Sequence, residues 1–340
     1  MTDFSLLIQD WYRLNKRDLP WRRTKNAYHI WLSEIIMQQT RVQQGTSYYL
    51  KFVKEFPTVN DLANADEQKI LNLWQGLGYY SRARNLHFSS KRIRDNFNGE
   101  FPTDHKDILS LKGVGKYTAA AISSFAFNEN KAVVDGNVYR LLSRVFDIST
   151  PIDSSQGQKL FQELADGLID NCAPGEHNQA IMELGALICT PKLAKCNECP
   201  LFVKCLSHAN DTIYSRPVKE KKIKVKKRYF HFLIFKNKKH IYIEQRTEKD
   251  IWQNLYQFPM VETNEEITVS EKKTWRKQQF ESSEIVHILS HQKIHAIFHH
   301  IDSIPSIEHG KWKKILISEL NDYPIPRLID KYLKETIHLF

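Results

Sequence analysis

Four cysteines within 17 residues constrain the fold of this 340-residue chain more than any other feature. They have the spacing C-x6-C-x2-C-x5-C, at Cys189, Cys196, Cys199 and Cys205. Short loops between such residues bring four sulfurs to one centre, where thiolates can complete the coordination of an iron–sulfur cluster or of zinc. A disulfide framework would need a secreted context, and no signal peptide is visible. The stretch predicts a metal site, and its spacing alone leaves iron–sulfur and zinc open.

The neighbours of this stretch carry two further expectations. Cys172 stands 17 residues before Cys189, and we expect it to be a buried free thiol. The lysines around the cysteines are expected either to be simply solvated or to contact phosphates from a rigid platform; they are Lys192, Lys195 and Lys204.

The formal net charge of +10 is concentrated in one short segment. Residues 1–215 carry 25 basic and 23 acidic side chains, and residues 229–340 carry 16 and 15. The 13 residues between them, 216–228, carry eight basic residues and one glutamate. A basic balance favours a polyanionic partner, nucleic acid first and a membrane surface second. The segment is interpreted as a solvated linker or as a linker that lies along a phosphate backbone.

The two sides of this segment differ in pattern. Apolar residues recur at helical spacing over 4–14, 28–42 and 61–73, with Asp61 as a plausible N-cap of the third segment. After residue 228, short aromatic and β-branched runs predict strands over 229–235, 240–244 and 295–301, and a closing helix over 328–339. The hydrophobic fraction of 41% excludes wholesale disorder. A domain boundary is therefore predicted in the basic segment, and no apolar run is long enough for a membrane span.

Two short motifs in the helical part are weak when taken singly. The stretch 111–122 (LKGVGKYTAAAI) places Gly113 and Gly115 between helices, and the free N–H groups near Lys116 could hold a phosphate. It is not a Walker loop, and no strand precedes it as a dinucleotide fold requires. The stretch 133–138 (VVDGNV) would by itself be a turn with Asp135 as an N-cap.

The combination is far more specific than its parts. A hairpin L-x-G-V-G-x-x-T-A, followed by V-D-G-N-V and by the four cysteines, resembles the helix-hairpin-helix DNA glycosylase superfamily with a cluster loop, and this context implies a 4Fe-4S cluster. Within that superfamily, which includes endonuclease III, the stretches 19–22, 31–40 and 76–86 are similar to adenine DNA glycosylases. That family removes adenine mispaired with 8-oxoguanine. The resemblance covers nearly all of residues 1–215 and continues more weakly to the C-terminus.

The resemblance implies a mostly α N-terminal helix-hairpin-helix glycosylase region with a 4Fe-4S cluster loop, and an α+β Nudix-like C-terminal domain. The first region is expected over 1–215, with the hairpin at 111–122 and the cluster loop at 189–205, the basic linker at 216–228 and the second domain at 229–340. Residues 251–259 (IWQNLYQFP) resemble the family's L-W-x-x-L-Y-x-F-P segment. No R-E-x-x-E-E core is visible, so pyrophosphatase activity is not expected.

The resemblance also assigns catalytic roles. Adenine leaves poorly unless its ring is protonated, so a carboxylic acid with a raised pKa is needed, and Glu34 among apolar neighbours suits this need. Asp135, with Asn137 as its neighbour, would stabilise or attack the cationic sugar, after which Glu34 would activate water. Bifunctional members carry a lysine two residues after the second hairpin glycine. Tyr117 stands there instead, which predicts a monofunctional glycosylase, in contrast to a lyase that forms a Schiff base.

Further residues are implied to bind DNA or bases: Trp21, Arg22, Gln38, Gln39, Thr40, Leu77, Tyr79, Gly113, Gly115, Lys116, Gln179, Leu289, Ser290 and His291. The family's recognition loop usually has Phe-Ser-His where this chain has 289–291 (LSH). The expected partner is double-stranded DNA with A:8-oxoguanine or A:G mispairs, bound by a monomer without a membrane partner. We expect the protein to be cytoplasmic and nucleoid-associated when bound to DNA. A catalytically inactive damage sensor is the remaining alternative, and the presence of both Glu34 and Asp135 argues against it.

Overall fold

Helices build the chain up to about residue 215, and strands dominate after residue 225, as the periodicity predicts. The computed structural model describes residues 3–220, 225–237, 239–263, 278–281, 284–301 and 311–336. Backbone contacts divide the chain into a helical unit, Met1–Asn64 with Asn85–Lys221, and a sheet unit, Ala65–Arg84 with Lys222–Phe340. No helix in the described part is long and apolar enough to cross a membrane.

The helices are α1 (Asp3–Asn15), α2 (Ala27–Met37), α3 (Val42–Glu55), α4 (Val59–Asn64), α5 (Glu67–Trp74), α6 (Ser81–Asn96), α7 (His105–Leu109), α8 (Lys116–Phe127), α9 (Gly136–Val145), α10 (Ser155–Leu168), α11 (Pro174–Leu187), α12 (Leu206–Ala209) and α13 (Arg327–Glu335). Short 3-10 turns lie at Pro20–Arg22, Cys196–Glu198, Phe202–Lys204, Ile213–Ser215 and Ile317–Asp322. α2 is buried almost all round, and it packs against α3 and α8.

Two predicted helices are interrupted in the structure. The segment expected over 28–42 ends at Met37 because Gln39 adopts a left-handed φ of 55°, and α3 begins only at Val42. The segment expected over 61–73 is two helices, and the cap of the second is Asp66, whose side chain accepts from Gln68 N. Asp61 was wrongly placed as an N-cap: it lies in the first turn of α4 and accepts from Thr58 N at 2.9 Å. Apolar periodicity continues across both breaks and therefore does not reveal them.

In the described ranges, eight strands form the sheet. They are β1 (Lys226–Asn237), β2 (His240–Gln245), β3 (Tyr256–Gln257), β4 (Met260–Thr263), β5 (Gln278–Glu281), β6 (Ile285–Ile288), β7 (Gln292–Ile301) and β8 (Trp312–Leu316). The long β1 pairs in parallel with β7 from Lys226 to Phe235, and antiparallel with β4 and, at its end, with β2. β5 and β6 pair antiparallel with β7, while β3 and β8 pair with β2. Alternate residues of β1 and β7 enter a core with α13, including Phe230, Phe232 and Phe298.

The basic segment is anchored by its two terminal arginines. Arg216 Nη2 lies 3.0 Å from Asp147 Oδ1 in the helical unit. Arg228 lies inside β1, is 8% exposed and binds both Asp250 and Glu262 at 2.6–2.7 Å. Among the described cations of this segment, Arg216 and Arg228 are therefore paired internally, and exposed lysines such as Lys219 remain available to an anion.

Candidate active site

One cleft of about 600 Å³ in the helical unit gathers most of the predicted catalytic residues. Its walls come from the segment before α2, from the C-terminal end of α2, and from the starts of α8 and α9. The residues that line it include Trp21, Arg22, Glu34, Gln38, Gln39, Thr40, Tyr117, Asp135, Asn137, Met182 and Glu183. Residues 100 positions apart in the sequence thus face one space, which a single-residue pattern cannot reveal.

Glu34 is positioned by α2, where every residue from Ile30 to Ile36 except Glu34 itself is buried. Loss of hydration of the carboxylate among these neighbours and the nearby negative charge of Asp135 raise the pKa of Glu34, while the Tyr117 hydroxyl and Arg22 oppose the rise; the resulting pKa is about 7. The Tyr117 hydroxyl donates a hydrogen bond to the Glu34 carboxylate. A carboxyl group with this pKa holds its proton near neutrality and can give it up, as a general acid must.

Asp135 is both a helix cap and a wall of the cleft. Its Oδ1 accepts from the backbone N–H groups of Asn137 and Val138 at 2.8 Å, which caps α9. Its Oδ2 accepts from Asn137 Nδ2, also at 2.8 Å. Burial raises the pKa of Asp135, and these three donors together with Arg140 oppose that rise. The turn-and-cap interpretation and the catalytic one therefore describe the same side chain.

Glu183 is a cleft residue that the sequence did not single out. It lies on α11, is 1% exposed and binds Arg17 Nη2 at 2.6 Å and Arg22 Nη2 at 2.8 Å. The two arginines hold its pKa at about 2 although burial opposes ionisation. An isolated acidic residue in a helix carries no sequence pattern that marks it as buried. Its effect is to fix the guanidinium of Arg22 at the wall of the cleft.

A smaller pocket opens behind the cleft and shares Glu34, Trp21 and Arg22 with it. Gln179 lines this pocket, and its Oε1 accepts from the Tyr12 hydroxyl at 2.5 Å. Because this bond occupies the amide oxygen of Gln179, the amide nitrogen is the group that can donate to a molecule in the pocket. The Trp21 ring packs edge-on against Tyr49 at 5.4 Å, so the indole both supports the helical unit and lines the pocket.

The segment 38–40 crosses the gap between α2 and α3 at the mouth of the cleft. Gln39 is exposed in its left-handed conformation. Gln38 donates from Nε2 to Thr118 Oγ1 at 3.4 Å, and the Thr40 hydroxyl donates to Gln38 O at 3.3 Å. Hydrogen bonds of the flanking residues Gln38 and Thr40 therefore hold the backbone on both sides of the exposed Gln39. Its left-handed φ is of a kind that clusters at functional sites when it occurs in residues other than glycine.

The glycine hairpin has the geometry that its sequence predicts. Gly113 has φ 85°, and a Cβ there would lie 2.9 Å from Asn85 Cβ, so only glycine suits this position. Gly115 is the N-cap of α8, and Lys116 at the start of that helix is exposed. The unpaired N–H groups of a helix start beside an exposed lysine can bind a phosphate.

The four cysteines line a single cavity in the helical unit together with Arg144. No group of three or more His, Cys, Asp or Glu residues in the described ranges is arranged closely enough to hold a single metal ion. The four thiols nevertheless line one shared cavity. Burial raises the pKa of the Cys199 thiol to about 12, so binding of a metal by its thiolate would release a proton.

Arginines from α9 support the cysteine segment. Arg144 Nη1 donates to Cys189 Sγ at 3.4 Å and to Thr190 O at 2.8 Å. Arg140 donates to Cys189 O at 2.6 Å and to Asn137 Oδ1 at 2.9 Å. Positive charge beside four sulfurs favours their thiolate form, and therefore the donor set and its surroundings suit an anionic cluster.

Other expectations about the cysteine region are changed by the structure. Cys172 is exposed, so the prediction of a buried thiol was wrong; it lies in the turn before α11, where Asp170 accepts from its backbone N–H at 3.0 Å. Lys195 and Lys204 form ion pairs with Glu198 at 3.6 Å and Asp3 at 2.5 Å. A phosphate contact by either lysine would have to compete with its carboxylate.

The remaining predicted DNA-binding residues lie in the sheet unit. Tyr79 is 41% exposed with φ 47°, and it directly follows Gly78, which has positive φ as Gly76 does. Leu77 is 8% exposed and packs beneath this turn. Glycine adopts positive φ without strain, so the strained backbone of this turn is that of Tyr79, and such residues cluster at functional sites.

The other such segment is the turn between β6 and β7. Ser290 and His291 are exposed, with Ser290 Oγ 3.2 Å from His291 Nδ1, while Leu289 packs against the core of the sheet unit. Leu289 N donates to Gln292 O at 2.8 Å and closes the turn. The leucine therefore serves packing, and the two polar residues are presented to solvent.

Comparison with known proteins places this geometry in a family. A sequence model of HhH-GPD superfamily base excision DNA repair proteins matches residues 32–166, and a model of the NUDIX domain matches residues 230–335. An adenine DNA glycosylase of Buchnera aphidicola (from Schizaphis graminum) is 38% identical over 261 residues, which is 76% of this chain and 75% of that protein. The Homo sapiens adenine DNA glycosylase is 41% identical over 60% of this chain and 39% of its own length.

Solved structures agree in fold. A thermostable thymine-DNA glycosylase superposes with a TM-score of 0.57 at 29% identity, covering 61% of this chain and 95% of that one. Endonuclease III in a non-covalent DNA complex superposes with a TM-score of 0.53 at 19% identity, covering 62% and 99%. The predicted fold class is confirmed, with a helical helix-hairpin-helix region followed by a Nudix-like domain built on a mixed sheet.

Proposed function

Since this chain belongs to the adenine DNA glycosylase family and is a DNA glycosylase of base excision repair, we propose that it hydrolyses the N-glycosidic bond of adenine mispaired with 8-oxoguanine or guanine. The observation that carries the proposal is the placement of Glu34, Tyr117 and Asp135 around one cleft. The substrate is duplex DNA, from which the adenine must first leave the base stack.

Base flipping would place the adenine in the pocket behind the cleft. Gln39 is exposed at the mouth and would occupy or flank the space that the base leaves in the duplex, next to Thr40. Trp21, Arg22 and Gln179 line the pocket and would contact the base, Trp21 by its ring and the other two by N–H donors. Because Glu183 holds Arg22 in place, the base would meet a prearranged donor.

Bond cleavage would then need one proton and one counter-charge. Protonated Glu34 gives its proton to a ring nitrogen, the C1′–N bond breaks, and its electron pair leaves with adenine. The positive charge that develops on the sugar lies against the ionised Asp135, whose charge is kept by Asn137 and the start of α9. Glu34, now a carboxylate, takes a proton from water as the hydroxyl adds to C1′, which restores the enzyme and leaves an abasic site.

Tyr117 supports hydrolysis without strand scission. Its hydroxyl hydrogen bonds to Glu34 and lies 3.7 Å from Met182 Sδ. Burial and the two nearby carboxylates raise its pKa far above the usual range, so it stays a neutral donor. A lyase needs an amine that forms a Schiff base at C1′, and no lysine lines this cleft in the described part of the chain.

Single-turnover cleavage of defined duplexes tests the function. We expect adenine release from A:8-oxoguanine and A:G duplexes, strand breaks only after alkali, and no covalent complex after borohydride reduction. A T:8-oxoguanine duplex should be left intact. Strand breaks without alkali, together with borohydride trapping, would establish an endonuclease III-like lyase instead. Binding of A:8-oxoguanine without any base release would establish a damage sensor.

We further propose that the four cysteines hold a 4Fe-4S cluster, which supplies a covalent staple for the loop and no step of hydrolysis. Purified protein should contain about four iron atoms per chain, and Cys199→Ser should lower both iron content and melting temperature. Cys172→Ser is the matched control, because that thiol is exposed outside the cavity, and it should leave both unchanged. One zinc ion per chain with no iron would contradict the proposal.

A further inference from the structure

The turn that contains Tyr79, residues 76–79, is held by the end of α5 and the start of α6. Trp74 Nε1 donates to Gly78 O at 3.0 Å, and Arg82 Nη2 donates to the same carbonyl at 3.1 Å. The Arg82 guanidinium lies over the Trp74 ring at 5.0 Å and near the Tyr79 ring at 5.8 Å. The exposed tyrosine therefore stands on a rigid base formed by α5 and the start of α6.

A loop of the Nudix-like domain, residues 246–255, holds this base. Asn254 Nδ2 donates to Glu67 Oε1 at 2.6 Å, at the first residue of α5. Arg84 Nη1 donates to Gln253 O at 2.7 Å, on the far side of the Tyr79 turn. Adjacent residues of loop 246–255, Gln253 and Asn254, are thus hydrogen-bonded to the helices after and before Tyr79.

Loop 246–255 is itself tightly closed. Arg246 N donates to Leu255 O at 2.9 Å, and Asn254 N donates to Arg246 O at 2.7 Å. Arg246 also donates from Nε to Ile251 O at 3.0 Å and from Nη2 to Asp250 Oδ2 at 2.8 Å. Asn254 has φ 66°, which asparagine and glycine adopt with least strain.

Asp250 of this loop is also connected, through Arg228, to the turn after β6. Asp250 binds Arg228 at 2.7 Å, and Arg228 Nη1 donates to Gln292 Oε1 at 3.2 Å. Gln292 O closes the turn that presents Ser290 and His291. A continuous chain of hydrogen bonds therefore runs from Glu67 through Asn254, Arg246, Asp250 and Arg228 to Gln292.

From these contacts we propose that loop 246–255 is a positioning element that fixes the Tyr79 turn relative to the Ser290–His291 turn, and so sets the preference for 8-oxoguanine over guanine opposite adenine. The inference rests on the proposed function and on the DNA-binding roles that the family resemblance implies for Tyr79, Ser290 and His291. Asn254, Arg246 and Asp250 touch no reacting atom, and they act through Glu67 and Arg228 on the residues that do.

Asn254→Gly is the sharpest test because glycine keeps the left-handed backbone and removes only the side chain that reaches Glu67. The measured quantity is the ratio, for A:8-oxoguanine against A:G duplexes, of the single-turnover rate divided by the dissociation constant. We expect Asn254→Gly to lower this ratio by about tenfold, the factor that loss of one hydrogen bond to a charged group produces. A general loss of folded protein would lower both rates equally and leave the ratio unchanged.

The controls are matched to the geometry. Glu67→Gln keeps an acceptor oxygen for Asn254 and should retain the wild-type ratio. Glu67→Ala removes that acceptor and should lower the ratio as much as Asn254→Gly does. The double variant Glu67→Ala/Asn254→Gly should lower the ratio no further than either single variant. Asn98→Gly replaces a second asparagine with positive φ (53°), an exposed one in the helical unit, and should leave the ratio unchanged. In a Tyr79→Ala background, Asn254→Gly should have no further effect.

The outcomes separate the inference from the proposed function. If the wild-type protein prefers 8-oxoguanine and Asn254→Gly retains that preference, the positioning role is overturned while the proposed function stands. A further drop in the ratio when Asn254→Gly is added to Tyr79→Ala also overturns it, since the loop would then act elsewhere. If the wild-type protein releases adenine from neither duplex, the proposed function fails, and the inference fails with it.

Discussion

Replacing Glu34 by glutamine should slow adenine release from an A:8-oxoguanine duplex by about a thousandfold or more, because general acid catalysis alone contributes about 10²–10⁴-fold. Glutamine keeps the shape of the side chain and an oxygen that accepts from Tyr117. It lacks the proton that adenine needs and cannot later activate water. The loss should therefore appear in the single-turnover rate and not in affinity for the duplex, which a mobility-shift titration measures.

The pH dependence gives a second measure of the same side chain. Burial raises the pKa of Glu34 to about 7, so the protonated fraction that can act as an acid falls as pH rises through 7. The wild-type rate should fall over that interval, and the residual rate of Glu34→Gln should not. Glu163→Gln is a matched control, because Glu163 is exposed on α10 in an ion pair with Lys159. Near-normal adenine release by Glu34→Gln would remove Glu34 from the mechanism.

Asp135→Asn is expected to have the second largest effect, about a hundredfold to a thousandfold on the same rate, as for loss of a preorganised charge opposite a developing one. Asparagine is as good an N-cap as aspartate, and its oxygen can still accept from Asn137 N and Val138 N. The variant should therefore melt close to the wild-type temperature while losing activity.

A comparison with Asp135→Ala divides the two roles of this residue. Alanine removes the cap as well as the charge, and it should lower the free energy of unfolding by a further ~1 kcal/mol. Equal activity in the wild type and Asp135→Asn, with loss only in Asp135→Ala, would mean that Asp135 is a structural cap and that the sugar cation is stabilised elsewhere.

Some residues of the candidate site could be assigned from the sequence, and others could not. Glu34 and Asp135 could be assigned because motifs around them resemble a family, although each has an ordinary local explanation as a helix residue or a cap. Glu183 was not predicted to be a site residue, because a buried acid is recognised only by the two arginines that bind it. Those arginines lie about 160 positions away in the sequence. Sequence proximity reports local conformation, whereas charge compensation in a buried site depends on chain segments that meet only after folding.

The fold shows the same division. Strand and helix segments after residue 225 follow from alternation and periodicity. β1 contains the strand expected over 229–235, and α13 covers the first part of the helix expected over 328–339, of which residues 337–339 lie outside the described residues. The break at Gln39 does not follow, because a left-handed residue in an apolar run leaves the hydrophobic pattern intact. Arg228 was counted as part of a solvated or phosphate-bound segment, yet Asp250 and Glu262 draw it into the sheet. Charge density alone therefore overestimated the cations available to a polyanion.

Helix α9 has a consequence for interpreting variants of this protein. Asp135 caps its first turn, and Asn137, Arg140 and Arg144 follow along one face toward the cysteine segment. Gly185 packs so closely on this face that a Cβ would lie 2.8 Å from Asn137 Cβ. We expect substitutions on this face to disturb both the cleft and the cysteine segment, so that a genetic screen that scores only repair would class them with catalytic-site variants. If the cysteines hold the proposed 4Fe-4S cluster, iron content would separate them, because a catalytic variant would keep its iron and a variant that disturbs the cysteine segment would lose it.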